Sequence, residues 1–207
     1  MDVREIVAMW PQADAGKRYA WAQQVRFDAT LSDEDVPHLV ELYRVVLDEG
    51  GDVQRPMEEA LLTALARIGS AAALPIFREV LFSRPPRGAS PLAEVVETLA
   101  DIAGHTSDKQ GLALLEECLH HEDVDVRDMA TTAIVRAYRL AGYPIPQRVI
   151  RQLYQLLQRD DARRVRFSAG LALQDAGELN LAEVIFWAED MAGWEEDPTW
   201  SIDDNVL

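Results

Sequence analysis

Four segments of this chain repeat one helical pattern at nearly constant spacing, and this repetition constrains the fold more than any other feature. The segments begin at Pro56, Pro91, Val126 and Val165, so their starts are 35, 35 and 39 residues apart. In each segment apolar residues recur every three or four positions, as Leu61, Leu65 and Ile68 do. A second segment with the same period follows each of them. The repeating unit is therefore a helical hairpin.

A hairpin of this length cannot bury its apolar face alone, so neighbouring copies must stack on it. Small residues recur on the first helix of several copies and would let adjacent helices approach to about 8–10 Å. They are Ala60, Ala64, Ala130, Ala133, Ala169 and Ala172. With a degenerate first copy in residues 1–50, the pattern predicts an all-α solenoid of about five hairpins over residues 1–193. Residues 194–207 form an acidic tail that contains tryptophan.

Helix boundaries follow from glycine, proline and capping residues. Glycine closes four of the apolar runs, where we expect a left-handed C-terminal cap, at Gly69, Gly104, Gly142 and Gly177. Pro56 suits the first turn of a helix. Ser32 and Asp35 have the spacing of a capping box, in which each side chain bonds the backbone of the other residue.

The pattern D-V-D-V-R-D-M-A-T-T-A-I at 123–134 resembles a HEAT repeat of the short subtype that also occurs in phycobilin lyases. The segment DDARRVRFSAGLAL at 160–173 repeats it, with Val165 and Arg166 standing where Val126 and Arg127 stand. The resemblance covers 121–177 well, 54–121 less well and 1–50 faintly. It implies a right-handed α-solenoid of HEAT-like hairpins, whose second helices usually line the concave face.

The stretch HHEDVDVRD at 120–128 allows either a metal site or a helix start. In deoxyhypusine hydroxylase, a HEAT-like di-iron enzyme, His-Glu pairs recur on several repeats. This chain has one such pair, His121-Glu122, whereas a metal site needs at least three convergent ligands. We therefore predict no metal, no cofactor and no catalytic residue.

As a helix start, the same stretch assigns each residue a structural task. The two histidines, His120 and His121, would end one helix. Asp123 or Asp125 would cap the next helix by accepting backbone N–H bonds. In related repeats an Asp–Arg ladder joins neighbouring copies, which implies that Arg127 contacts an acid of the adjacent loop, Asp160 or Asp161.

The net charge of −16 bears on the choice of partner. It comes from 36 acidic and 20 basic residues, and no Lys or Arg follows Arg166. Such acidity disfavours nucleic acid, which requires a basic surface, and favours a basic protein. It is equally typical of a soluble protein that needs no charged partner.

Apolar runs, the N-terminus and the cysteine content bear on where in the cell the chain is expected. No apolar run approaches the roughly 18 residues of a membrane helix, and the N-terminus lacks a signal-peptide pattern, so we expect a cytoplasmic protein without membrane contact. The single cysteine excludes an intrachain disulfide. Cys118 lies in an apolar-periodic run, where a buried and inert thiol is expected.

The C-terminal tail places tryptophans among acids, and two interpretations stay open. It either covers the last hairpin or docks onto a partner, since aromatic residues often anchor interfaces and acids steer a basic partner. The tail residues proposed for partner binding are Trp194, Glu195, Glu196, Asp197 and Trp200. The loop SRPPRGAS at 83–90 is expected to connect two repeats, with anion binding by its arginines as the alternative.

The combined prediction is a non-catalytic protein-binding module that acts as a scaffold, adaptor or regulatory subunit. By analogy with HEAT-like concave faces, the second helices supply further partner-binding candidates, Arg78, Glu79, Glu116, Glu117, Arg151 and Gln155. One alternative is an inhibitor or immunity-like protein that neutralises a basic toxin or nuclease. The other alternative is a HEAT-like lyase or metal-dependent enzyme.

Overall fold

All regular structure in the described part of the chain is helical. The computed structural model describes residues 2–49, 54–82 and 92–180, together with Glu183. Within these residues there is no strand, so the predicted all-α class is confirmed. The helices are α1 (Val3–Met9), α2 (Ala15–Phe27), α3 (Val36–Glu49), α4 (Gln54–Ile68), α5 (Leu74–Phe82), α6 (Leu92–Thr106), α7 (Lys109–Cys118), α8 (Val124–Leu140), α9 (Gln147–Arg159) and α10 (Arg163–Asp175).

The chain divides into two compact units, Met1–Pro144 and Ile145–Leu207. In the first unit the helices that the sequence predicts as first helices of the hairpins are neighbours: α2 packs on α4, α4 on α6, and α6 on α8. Of the helices predicted as second helices, α3 packs on α4, α5 on α6, and α7 on both α6 and α8. In the second unit α9 packs on α10.

The predicted apolar stripes form the core. Leu61, Leu65, Phe77 and Leu99 have no exposed surface, and the recurring alanines of the first helices are also buried. The predicted capping box of Ser32 and Asp35 is present at the 3-10 turn Asp33–Asp35 before α3, where Asp35 accepts the backbone N–H of Ser32 at 2.9 Å. No helix of the described residues has the length and apolar character needed to cross a membrane.

Three of the four predicted glycine caps are confirmed and one is wrong. Gly69, Gly142 and Gly177 have φ values of 69°, 71° and 82°, the left-handed conformation that favours glycine. Helix α6 instead continues through Gly104 to Thr106, and Ser107 takes the positive φ. The physical reason is close packing: a Cβ at Gly104 would lie 2.9 Å from Leu140 Cβ on α8. Gly104 therefore permits the approach of α6 and α8.

Candidate functional site

Four of the predicted partner-binding residues lie in one row of polar contacts on the second helices. Arg78 on α5 makes an ion pair with Glu117 on α7, with two N···O distances of 3.0 and 2.9 Å. Glu79 on α5 pairs with Arg44 on α3 at 2.9 Å. Glu116 accepts a hydrogen bond from the hydroxyl of Tyr138. We call Arg44, Arg78, Glu79, Glu116 and Glu117 the second-helix row.

The ion pairs of the second-helix row are open to solvent. The side chains of Arg78 and Glu117 are 57% and 46% exposed, and those of Arg44 and Glu79 are 45% and 30% exposed. The hydrogen bond to Glu117 raises the pKa of Arg78, so this guanidinium stays charged. Exposed pairs of this kind contribute little to stability, because water and salt screen them. Both charges therefore remain accessible to a binding partner.

The remaining predicted contact residues divide into two groups. Arg151 and Gln155 are exposed and lie one turn apart on α9, within the second unit. The tail candidates Trp194, Glu195, Glu196, Asp197 and Trp200 lie outside the residues that the structure describes, as does the loop at 83–90. Their roles stay predictions.

The stretch at 120–128 starts α8 and ties it to two other helices. Helix α7 ends at Cys118. His120 and His121, which the sequence predicts at the end of this helix, lie in the turn that follows it. His121 is 8% exposed. Its Nε2 lies 2.7 Å from the carbonyl of Leu81 in the last turn of α5, and its Nδ1 accepts the backbone N–H of Asp123 at 3.0 Å. Since Nδ1 accepts, Nε2 carries the proton that is donated to Leu81.

The other polar residues of this stretch complete the start of α8. Asp123, and not Asp125, is the cap, because its Oδ1 accepts the N–H groups of Asp125 and Val126. Arg127 is 9% exposed and donates to the carbonyls of His121 and Glu122, both at 2.9 Å. The contact of Arg127 with an acid of the next repeat stays a prediction.

The hydrogen bonds described for this stretch join its side chains to backbone groups and stabilise the fold. Each ring nitrogen of His121 is engaged by a backbone group, which leaves no lone pair for a metal ion. In the described residues no group of three or more His, Cys, Asp or Glu side chains is placed to hold a metal ion. Burial raises the pKa of the neighbouring Cys118 to about 12, so its thiol stays protonated and unreactive near neutral pH.

A groove between the first helices was missed by the sequence reasoning. It has a volume of about 360 Å³ and lies within the first unit. We call it the α4–α6 groove; its lining residues are Arg26 on α2, Glu59, Leu62, Thr63 and Ala66 on α4, and Glu94, Glu97, Thr98 and Asp101 on α6. The spacing of Glu94, Glu97 and Asp101, which places three acids on one face of α6, is a signal that could have identified it.

Arginines of the same unit hold three of the four groove acids. Arg55 lies 2.9 Å from Glu59 and 3.8 Å from Glu94, and thus joins α4 to α6. Asp101 pairs with Arg136 of α8 at 2.9 Å. Glu97 is exposed and has no ion-pair partner among the residues described. Three of the four groove acids are therefore paired with arginines of this unit, and Glu97 is the acid that is still available.

Comparison with protein-family models, with curated proteins and with solved structures finds no match for this chain. The resemblance to HEAT repeats accordingly rests on the residues quoted above, at 123–134 and 160–173. It stays a prediction.

Proposed function

We propose that this chain is a non-catalytic protein-binding module, a scaffold, adaptor or regulatory subunit. In this proposal it is built as a right-handed HEAT-like α-solenoid of about five hairpins. Stacked repeats place equivalent residues side by side, so contacts should join positions about one repeat apart. Such a surface is preformed, and binding to it costs little ordering entropy.

The polar contacts between neighbouring helices are the observation that carries the proposal. Arg44 pairs with Glu79 at a separation of 35 residues, and Arg78 with Glu117 at 39. The first separation equals the 35-residue repeat, and the second exceeds it by four residues, about one helical turn. On the first helices, Arg67 of α4 donates to the carbonyls of Arg26 and Val25, 41 and 42 residues earlier. These contacts support a stack in which each hairpin meets the next in a regular way.

The charge of the chain supports a basic partner. The net charge is −16, and the second-helix row and the α4–α6 groove both present carboxylates to solvent. Complementary charge contributes chiefly to the association rate and to the choice of partner. The same charge disfavours nucleic acid.

Affinity capture from the native host, at low salt and with immobilised full-length chain, tests this function. We expect the captured proteins to be basic and to elute as the salt concentration rises, because screening shortens the range of electrostatic attraction. A column that carries the double variant Arg78→Ala and Glu117→Ala tests the contribution of the second-helix row, since it removes one exposed pair without changing the net charge. Captured proteins that are acidic, or whose release is independent of salt, would count against the proposal.

A chain that ends before residue 194 separates the two interpretations of the tail. If the tail docks onto the partner, this truncation should abolish capture and leave the melting temperature nearly unchanged. If the tail covers the last hairpin, the melting temperature should fall substantially. Both measurements are made on the same two proteins.

A second candidate, an inhibitor that neutralises a basic toxin or nuclease, is favoured by the magnitude of the net charge. It predicts that the captured partner is itself toxic or catalytic and that the chain suppresses this activity at an equimolar ratio. A captured partner that retains full activity in the complex would favour the scaffold or adaptor.

A further inference from the structure

Thr98 is the residue of the α4–α6 groove that points to a ligand. It lines the groove, is only 7% exposed, and its hydroxyl has no hydrogen-bond partner in the part of the chain that the structure describes. Other helical threonines donate their hydroxyl to a carbonyl of their own helix, as Thr63, Thr106 and Thr131 do at 2.7 Å. The Thr98 hydroxyl is thus free to bond a group that enters the groove.

The carboxylates around Thr98 define the charge of that group. Glu97 precedes Thr98 on α6, is exposed, and has no ion-pair partner among the described residues. Across the groove, Glu59 and Glu94 hold the guanidinium of Arg55. This intramolecular contact demonstrates that the two walls are spaced so that carboxylates of both can reach one basic side chain.

The floor of the groove suits an alkyl chain. Leu62 is 2% exposed and lies beside Ala66 on α4, and both line the groove. Lysine and arginine carry an alkyl stem that packs on apolar surface while the charged end reaches polar groups. A volume of about 360 Å³ admits a side chain of this kind but not a helix.

We propose that the α4–α6 groove binds one basic side chain of a protein partner. The carboxylate of Glu97 and the hydroxyl of Thr98 accept its N–H donors, and Leu62 and Ala66 contact its alkyl stem. The inference rests on the proposed function, since it specifies where a basic partner is held. It places that contact on the first helices, in addition to the predicted contacts of the second-helix row.

Titration of the full-length chain with short oligoarginine and oligolysine peptides tests the groove. Two variants remove its acceptors, Thr98→Val and Glu97→Gln. Each should weaken peptide binding about tenfold, the equivalent of about 1.4 kcal/mol, which lies near the lower end for a hydrogen bond to a charged group. In a parallel NMR titration the amide signals of groove residues should shift.

Two matched controls carry the same changes outside the groove. Glu41→Gln removes an exposed acid from α3, and Thr132→Val removes an exposed hydroxyl that bonds Met129 within α8. We expect each to change the affinity by less than about twofold, since neither contacts the groove. Circular dichroism melting verifies that all four variants fold.

The results of these titrations distinguish the groove site from the proposed function. Wild-type binding that is weakened by the two groove variants and spared by the two controls supports the inference. Equal binding by all variants would overturn the groove site and leave the proposed function standing. No binding of either peptide by the wild-type chain at low salt would overturn both. Spermidine binding as tight as peptide binding would assign the groove to small polyamines and overturn the side-chain site.

Discussion

At the starts of α8 and α10, equivalent backbone groups are bonded by side chains that differ in one position. Arg127, in the first turn of α8, donates to the carbonyls of His121 and Glu122, six and five positions earlier. Arg166, in the first turn of α10, donates in the same way to the carbonyls of Asp160 and Asp161, at 2.7 and 3.1 Å. His121 Nδ1 accepts the N–H two positions later, and Asp160 Oδ1 accepts that of Ala162 at 2.9 Å. Histidine and aspartate thus occupy equivalent positions, 39 residues apart like Val126 and Val165.

The two helices also end alike. After α8, the N–H of Tyr143 bonds the carbonyl of Tyr138, and after α10 the N–H of Glu178 bonds that of Leu173. In both, glycine takes the left-handed conformation, at Gly142 and Gly177, as in a Schellman motif. Helix α8 has 17 residues and α10 has 13. The starts of the two helices are therefore 39 residues apart, whereas their ends are 35 residues apart.

The difference between the two starts lies in what else they hold. His121 also bonds the carbonyl of Leu81, 40 residues earlier, and its ring packs edge-on against Phe82 at 5.3 Å between centroids. Its loop therefore ties α5, α7 and α8 together. The starts of α8 and α10 therefore share one backbone geometry, and at α8 a single side chain adds a link to another helix.

Replacing Arg127 should produce the largest effect. Arg127→Met preserves the alkyl volume but leaves two carbonyls without their donor, and Arg127 is only 9% exposed. We expect the free energy of unfolding to fall by about 3 kcal/mol, measured by urea denaturation. The matched variant Arg166→Met should lose about 1 kcal/mol, since Arg166 is half-buried and water can replace its donors. A greater loss in Arg166→Met would contradict the greater burial of the bonds of Arg127.

Two substitutions of His121 separate its two bonds. Asparagine can accept the N–H of Asp123, as Asp160 accepts that of Ala162, but it is too short to replace the bond to Leu81. We expect His121→Asn to lose about 1 kcal/mol and His121→Ala about 2–3 kcal/mol in thermal or urea unfolding. Equal losses would show that the N–H of Asp123 gains nothing from its acceptor.

The glycine ends should respond alike. A Cβ at Gly142 or Gly177 would meet no atom within 4 Å, so alanine introduces only the strain of a positive φ. Gly142→Ala and Gly177→Ala should each destabilise by about 1 kcal/mol, as measured by denaturation. A difference between them of more than about 1 kcal/mol would contradict the equivalence of the two helix ends.

Labelling of Cys118 by a thiol reagent reports on the His121 loop. Its carbonyl accepts the N–H of His121, and burial raises the pKa of its thiol to about 12. Labelling by a thiol reagent at pH 8 should be slow in wild type and in Arg166→Met, and faster in His121→Ala. Because an unfolded thiol ionises near pH 8.5, the stability that the neutral thiol contributes is full below that pH and declines as the pH rises toward 12. Rapid labelling of the wild type would contradict the burial.

Residue patterns predict the helices but not the contacts between them. Periodicity located the apolar faces, and the glycines after α4, α8 and α10 were identified because a positive φ restricts the residue type. Gly104 looked the same in sequence but serves helix packing, a tertiary requirement that no local pattern reveals. The α4–α6 groove was missed because its acids lie on two helices and Thr98 differs from other threonines only in what it does not bond.

The claim that the acidic chain binds a basic partner is tested most directly by one calorimetric titration. Wild-type chain is titrated with the oligoarginine peptide at low and at high salt. We predict that affinity falls at least about tenfold between the two conditions, because exposed charges are screened beyond about 3 Å at 1 M salt. An affinity that is unchanged by salt, or no binding at low salt, would contradict the proposed function.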